Sequence, residues 1–190
     1  MKKLALVVLL ALELVVCGCG ATNNTSNTTD TQATGNWEAL LTGGTDQASL
    51  LNFVTTFTVT NSGPLDITGL AFFNQGACFA TGTDAENATG NANFSTSSTN
   101  TVNGTLNLTV TSATNGSVLT LNPGSLTGNS NGTTTTTGTL SNGVVIGTWT
   151  LTPGTGVKGC NAAQGNYLLC QNATTCTPST AAALAIRKPE

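Results

Sequence analysis

The sequence predicts an all-β protein: an antiparallel meander of about 8–10 strands, closed as an up-and-down barrel in preference to a sandwich. Three observations predict it. The first is composition. The 190 residues include 39 threonines and 21 asparagines, and only 7% are charged, against about 25% in an average soluble protein. Threonine with valine, leucine, isoleucine and phenylalanine favours strands, while the helix formers Lys, Arg and Glu are scarce. The second is apolar–polar alternation at period two in one segment after another. The third is punctuation: short turn signals of Asn, Gly, Ser and Pro separate those segments, with no helix-period stretch between them. Sequential antiparallel strands usually pair with their neighbours, and the length suits one domain.

The first segment is an address, not part of the barrel. Residues 1–20 read MKKLALVVLLALELVVCGCG. Lys2 and Lys3 form a positive n-region, and residues 4–12 an apolar h-region. That run is too short for a spanning helix, which needs about 20 residues. Val16-Cys17-Gly18-Cys19 then resembles the lipobox of bacterial lipoproteins, with an aliphatic residue at −3, a small residue at −1 and the cysteine that accepts lipid. The resemblance implies cleavage after Gly18 and lipid attachment at Cys19. It makes the chain a palmitate-bearing envelope lipoprotein, held on a membrane that faces the periplasm or the exterior. Gly20 at +2 resembles the outer-membrane-sorted class where two membranes are present. An ordinary cleaved secretory signal is the alternative.

Residues 19–35 contain no large apolar side chain and are expected to be a flexible Thr/Asn-rich tether. A span of roughly 20–25 Å follows from the chain statistics. The single β-domain is expected over residues 36–176. Gly35-Asn36-Trp37 resembles the G-x-W that opens lipocalin barrels. The late Arg of that family has no counterpart, since Arg187 lies in the tail.

The strands follow in order. Phe53, Thr55, Phe57 and Val59 share one face, so Thr55 must be buried with a hydrogen bond or mark an edge. A turn is expected at Asn61-Ser62-Gly63-Pro64, then a strand over residues 65–73. Leu106, Leu108 and Val110 alternate with Asn107, Thr109 and Thr111. Asn115-Gly116 is a hairpin signal, and Asn122-Pro123-Gly124-Ser125 another turn. Residues 133–140 are a threonine-dominated strand candidate, and Asn142-Gly143 a second hairpin turn. Residues 144–151 form the last long strand, with Trp149 inward and Thr148 and Thr150 outward. A shorter strand covers residues 165–170. Residues 177–190 are a tail or short helix, with the apolar run AAALAI at 181–186.

Cysteine count bears on the compartment. Setting aside Cys17 in the leader and Cys19, four remain: Cys78, Cys160, Cys170 and Cys176. An even number in an exported chain reads as two disulfides. Three connectivities are open, and Cys78–Cys160 with Cys170–Cys176 is favoured, because the last two are separated by a stretch able to turn back. A zinc site lacks both a CxxC pair and histidine, and no metal or cofactor is expected.

Function is bounded mostly by exclusion. Five Lys+Arg against eight Asp+Glu leave no cationic footprint for nucleic acid. With no histidine, Ser/His/Asp and Cys/His catalysis fall away. Gly154-Thr155-Gly156 lacks the lysine of a phosphate loop. Asp84-Ala85-Glu86 is the densest acidic spot; it is too small for a calcium loop and is expected to be solvated. Glu38 and Asp66 are the one carboxylate pair worth testing for glycoside hydrolysis. Trp37, Trp149 and Tyr167 are expected to fill the core, each burying about 150–250 Å²; exposed, they would stack on sugars. The five threonines 133–137 lack the fixed-period array of an ice-binding face. Sequons at Asn87, Asn93, Asn107 and Asn172 reflect an Asn/Thr-rich composition. The expectation is a lipid-anchored, non-catalytic envelope module that binds a small apolar ligand, a glycan or an envelope protein, or is structural. A carboxylate-dependent hydrolase is the alternative.

Overall fold

The computed structural model describes residues 30–43, 51–60, 62–73, 77–132 and 136–172. They form one sheet of nine strands that curls into a nearly closed up-and-down barrel. The strands are β1 (Thr31–Thr42), β2 (Phe53–Thr60), β3 (Ser62–Pro64), β4 (Asp66–Phe72), β5 (Asn87–Thr96), β6 (Thr101–Thr111), β7 (Val118–Ser130), β8 (Gly138–Thr152) and β9 (Ala163–Gln171). Their spatial order is β3-β5-β6-β7-β8-β9-β1-β2-β4. The two end strands, β3 and β4, are consecutive in the chain. Residues 62–72 pair first with β5 and then with β2, so one stretch of backbone bridges the two ends of the sheet. Leu65 sits at the switch and donates its N–H to the Gly90 carbonyl at 2.9 Å.

Alternation decides what lies inside. Trp37, Trp149, Tyr167, Phe53 and Phe57 are all fully buried, with Leu106, Leu108 and Val110. Trp37 stacks on Phe57 at 4.6 Å, and Phe72 stacks on Phe79 at 4.6 Å. Glycines make room for the large rings. A side chain at Gly147 would meet the Tyr167 ring at 2.6 Å, and one at Gly143 would meet Trp37 at 2.6 Å. Thr55 is buried on the Phe53/Phe57 face and donates to the Thr68 carbonyl at 3.2 Å. Thr148 is exposed and Thr150 half-buried, opposite in sense to Trp149.

Several local expectations are corrected. β1 begins at Thr31, inside the segment expected to be tether. Small side chains suffice there: Ala33 is buried against the core, and Thr31 is buried through hydroxyl contacts with Thr96 (2.6 Å) and Ser130 (3.1 Å). Ser62–Pro64 is a short strand rather than a turn. Asn122-Pro123-Gly124-Ser125 is no turn but a bulge within β7. Three residue steps on β8, Trp149 to Ile146, face four on β7, Leu121 to Ser125. Pro123, with no N–H for the ladder, is tolerated where pairing is interrupted. Asn142-Gly143 is likewise a bulge within β8, with Asn142 at φ 53°, since a bulge and a tight turn ask for the same left-handed residue. Asn115-Gly116 does sit in a connection, between β6 and β7, with Gly116 at φ 73°. Of the threonine run, residues 133–135 lie outside the described residues; β8 starts at Gly138.

The barrel has two poles. Thr31, Thr96 and Ser130 mark the pole where β1 enters. The opposite pole carries the connections 77–86, 112–117 and 153–162.

Candidate functional surface

Cys19, Cys176, Asp46 and Glu190 lie outside the described residues. Cys78 and Cys160 form a disulfide across 82 residues, with Cα atoms 5.0 Å apart. It ties the loop before β5 to the loop before β9. Cys170 is also disulfide-bonded, and its partner lies outside the described residues.

The acidic residues do not converge on a cleft. Glu38 pairs with Val54, and Asp66 with Thr58. They are therefore two strands apart and offset by about four residues along the wall, roughly 17 Å between Cα atoms from sheet spacings. Glycosidase pairs sit about 5–10 Å apart, so the structure does not bring these two together. Asp84 and Glu86 were expected in a solvated loop; Glu86 is instead buried, and both carboxylates are engaged. The Asp84 carboxylate accepts from Leu70 N at 2.9 Å, and Asp84 N donates to the Leu70 carbonyl at 2.8 Å. Glu86 accepts from Ala80 N, from Ser112 Oγ at 3.3 Å and from Ala113 N at 2.7 Å. Both sit at the seam between β4 and β5, the one place where neighbouring strands do not pair directly. Leu70 faces that seam, and Asp84 supplies the backbone partner that β5 does not. This seam role was not legible from the sequence, because an acidic pair in a loop looks the same whether solvated or inward. Among the described residues no three His, Cys, Asp or Glu side chains gather as a metal site.

The aromatics expected to fill the core do so. Trp149 donates its Nε1–H to the Thr42 carbonyl at 3.2 Å. Trp37 is 1% exposed and its Nε1 has no hydrogen-bond partner, so packing alone holds it. The Tyr167 hydroxyl donates toward the Asn122 carbonyl at 2.9 Å and lies 3.4 Å from the Leu106 carbonyl. Those carbonyls flank the β7 bulge, so the phenol satisfies backbone that the irregularity leaves without a ladder partner. Burial pushes its pKa well up from the ordinary tyrosine value. Gln171 plays the same part at the end of β9. Its Nε2 donates to Thr34 O (2.8 Å) and Leu140 O (2.9 Å), while its Oε1 accepts from Gly143 N (3.1 Å). One side chain thus joins β1 to β8 where the strand between them stops.

Two clefts open on the outside. One cleft of about 420 Å³ is lined by residues of β1, β2 and β4, including Asn36, Glu38, Thr56 and Gly69, and by Asn172. A second, of about 570 Å³, runs over β7, β8 and β9 and includes Asn122, Thr148, Gln164 and Asn166. Amide and hydroxyl side chains, which both donate and accept hydrogen bonds, make up most of the second lining; the first adds Trp37, Val54 and the Glu38 carboxylate, and most of the surface in both is apolar. Asn122 Nδ2 donates to Thr148 Oγ1 at 3.1 Å along the floor of the second. A scan of family models and searches of curated proteins and solved structures give no match to this chain.

Proposed function

We propose that this chain is a lipid-anchored, exported, non-catalytic barrel of the bacterial cell envelope, which meets a glycan or an envelope protein through its outer wall. The observation that carries the non-catalytic, outward-facing reading is the filled interior. The barrel axis is occupied by Trp37, Trp149, Tyr167, Phe53 and Phe57, so a partner is left the wall and the poles. Clefts with a mostly apolar lining and a few amide, hydroxyl and carboxylate groups suit a sugar, which offers both hydroxyls and an apolar ring face. Two further features support the anchor. The lipobox-like Val16-Cys17-Gly18-Cys19 precedes β1 by a short stretch, and β1 enters at the pole opposite the disulfide-tied loops. An anchor at Cys19 then turns that loop pole away from the membrane.

The test is metabolic labelling with radioactive palmitate in a bacterial host. The wild-type chain should take up label and sediment with membranes. Cys19→Ala should remain an unlabelled precursor. Equal label in both would end the proposal of an anchor at Cys19.

A further inference from the structure

We infer that the wall formed by β5 to β9 carries a neutral glycan chain, seated in the β7–β9 cleft and laid across the strands along a row of threonines. This rests on the outer wall being the binding surface, and it names the ligand class and its place. The first observation is charge. From Asn87 to Asn172 the sequence holds one charged residue, Lys158, and that lies in the connection 153–162 at the loop pole. Five neighbouring strands, β5 to β9, therefore carry no charged side chain. Glu38 and Asp66 belong to β1 and β4, outside this stretch of wall.

The second observation is the cleft of about 570 Å³ over β7, β8 and β9. Its lining is mostly apolar, which suits the ring face of a sugar, while Thr150, Gln164, Thr148, Asn166 and Asn122 offer amides and hydroxyls. Asn122 Nδ2 donates to Thr148 Oγ1 at 3.1 Å, which leaves that hydroxyl's own proton to donate. The third observation is register. Thr150 pairs with Gln164 on one side and with Thr120 on the other; Thr120 pairs with Thr109, and Thr109 with Thr89. Leu108 and Val110, Leu119 and Leu121, and Trp149 and Leu151 all turn inward, so the threonines between them point outward by alternation. The cleft thus continues into one row across five strands, about 4.8 Å per step and roughly 19 Å in all. Inside the barrel the polar groups of Tyr167 and Gln171 are committed to backbone. Among the described residues nothing engages the hydroxyls of this row or the Gln164 amide, so they are left for a ligand.

Other occupants fit less well. An acidic polymer needs cations, and these strands supply none. Protein interfaces draw on aromatic, Met and Arg side chains at their core, which the row lacks. A lipid-facing barrel wall is an apolar band. The wall is convex, so a flat crystal face such as ice meets few of its hydroxyls at once, whereas a flexible chain can follow it.

The test applies the full chain to an array of neutral, uronic-acid and amino-sugar polysaccharides. Neutral polymers are expected to bind, with an affinity unchanged from about 0.05 to 0.5 M salt, since no charge is screened. Lys158→Gln should leave that affinity unchanged. Gln164→Arg, at an exposed position, should weaken it roughly tenfold, because an unpaired charge enters the contact. Thr150→Arg should do the same, and Gln164→Arg carries the test if Thr150→Arg lacks native near-ultraviolet dichroism. Undiminished binding in Gln164→Arg would overturn the placement. Binding lost instead in Thr56→Arg, in the cleft over β1, β2 and β4, would overturn it too and leave the outer-wall reading intact. Binding to charged polysaccharides alone would overturn the neutral class, again with that reading intact. No glycan bound by a natively folded chain would overturn the inference and leave an envelope protein as the partner of the wall.

Discussion

At the scale of single residues, the polar groups inside this barrel stand in for backbone that the sheet leaves unpaired. Tyr167 is the clearest case, because its hydroxyl serves carbonyls beside the β7 bulge. Tyr167→Phe removes the donor and leaves buried acceptors, which costs about 1–3 kcal/mol. The same burial makes a pH prediction. The folded pKa is raised, so below the unfolded value of about 10 both states hold the proton and stability is unaffected. Above it the unfolded chain ionises first, fewer protons are bound unfolded than folded, and stability falls as pH rises. Tyr167 is the only tyrosine, so tyrosinate absorbance reports it alone. That absorbance should appear together with unfolding, and Tyr167→Phe should flatten the alkaline loss in urea denaturation. A native-state titration near pH 10 in a folded barrel would contradict the burial argument.

At the scale of elements, the inward face was legible where apolar residues alternate, while strand limits and some strands were not: β5 over Asn87–Thr96 was not anticipated, β3 was read as a turn and β8 as two strands. Phe53, Phe57, Leu106, Leu108, Val110 and Trp149 all turn inward as alternation requires, because period two survives any error in where a strand ends. The misread places are Asn122-Pro123 and Asn142-Gly143. There the sequence offers a left-handed or N–H-free residue, and local chemistry cannot tell a reversal of the chain from an extra residue in a continuing strand. What settles it is the neighbour: Tyr167 has carbonyls to satisfy on one bulge, and Gln171 accepts the Gly143 N–H at the other. Both partners lie in β9, far along the chain. The start of β1 was missed for a related reason, since Thr31 and Ala33 are small, and Thr31 is buried by Thr96 and Ser130 arriving from distant strands. The bulge is testable through Asn142, which is exposed. Asn142→Gly keeps the left-handed conformation and should leave the urea midpoint within error. Asn142→Val should cost about 1–2 kcal/mol, because a β-branched residue is strained there. Equal midpoints for the two variants would show that Asn142 is not held in the left-handed region.

At the scale of the whole molecule, the barrel closes by a seam, and the seam depends on a covalent tie from elsewhere. β3 pairs with β5 and β4 with β2, but β4 and β5 share no ladder: beyond the Leu65 N–H bond to the Gly90 carbonyl, the loop before β5 links them. Asp84 bonds that loop to Leu70, and Glu86 bonds it to the β6–β7 connection. The Cys78–Cys160 disulfide then fixes that loop to the loop before β9 across the pole. Asn115 Nδ2 donates to the Cys78 carbonyl at 3.1 Å, and Ser117 Oγ lies 3.6 Å from Cys160 Sγ. The sequence left three pairings open and favoured the Cys78–Cys160 bond that forms; the seam it guards was not legible, because it depends on which two strands fail to meet. Two effects should follow from replacing both cysteines by serine. The chain-entropy model assigns a loop of 82 residues about 4.5 kcal/mol, which the double variant should lose. The loss should also be uneven. In amide exchange, the Leu70 N–H should lose protection well before Leu119 in β7, whose ladder neighbours are all retained, because the seam opens locally without global unfolding. The same ordering is expected when the native chain is treated with a reductant, which avoids any failure of the variant to fold. If Leu70 and Leu119 lose protection together, the disulfide stabilises the chain only by restricting its unfolded state, and the seam is held by Asp84 and Glu86 alone.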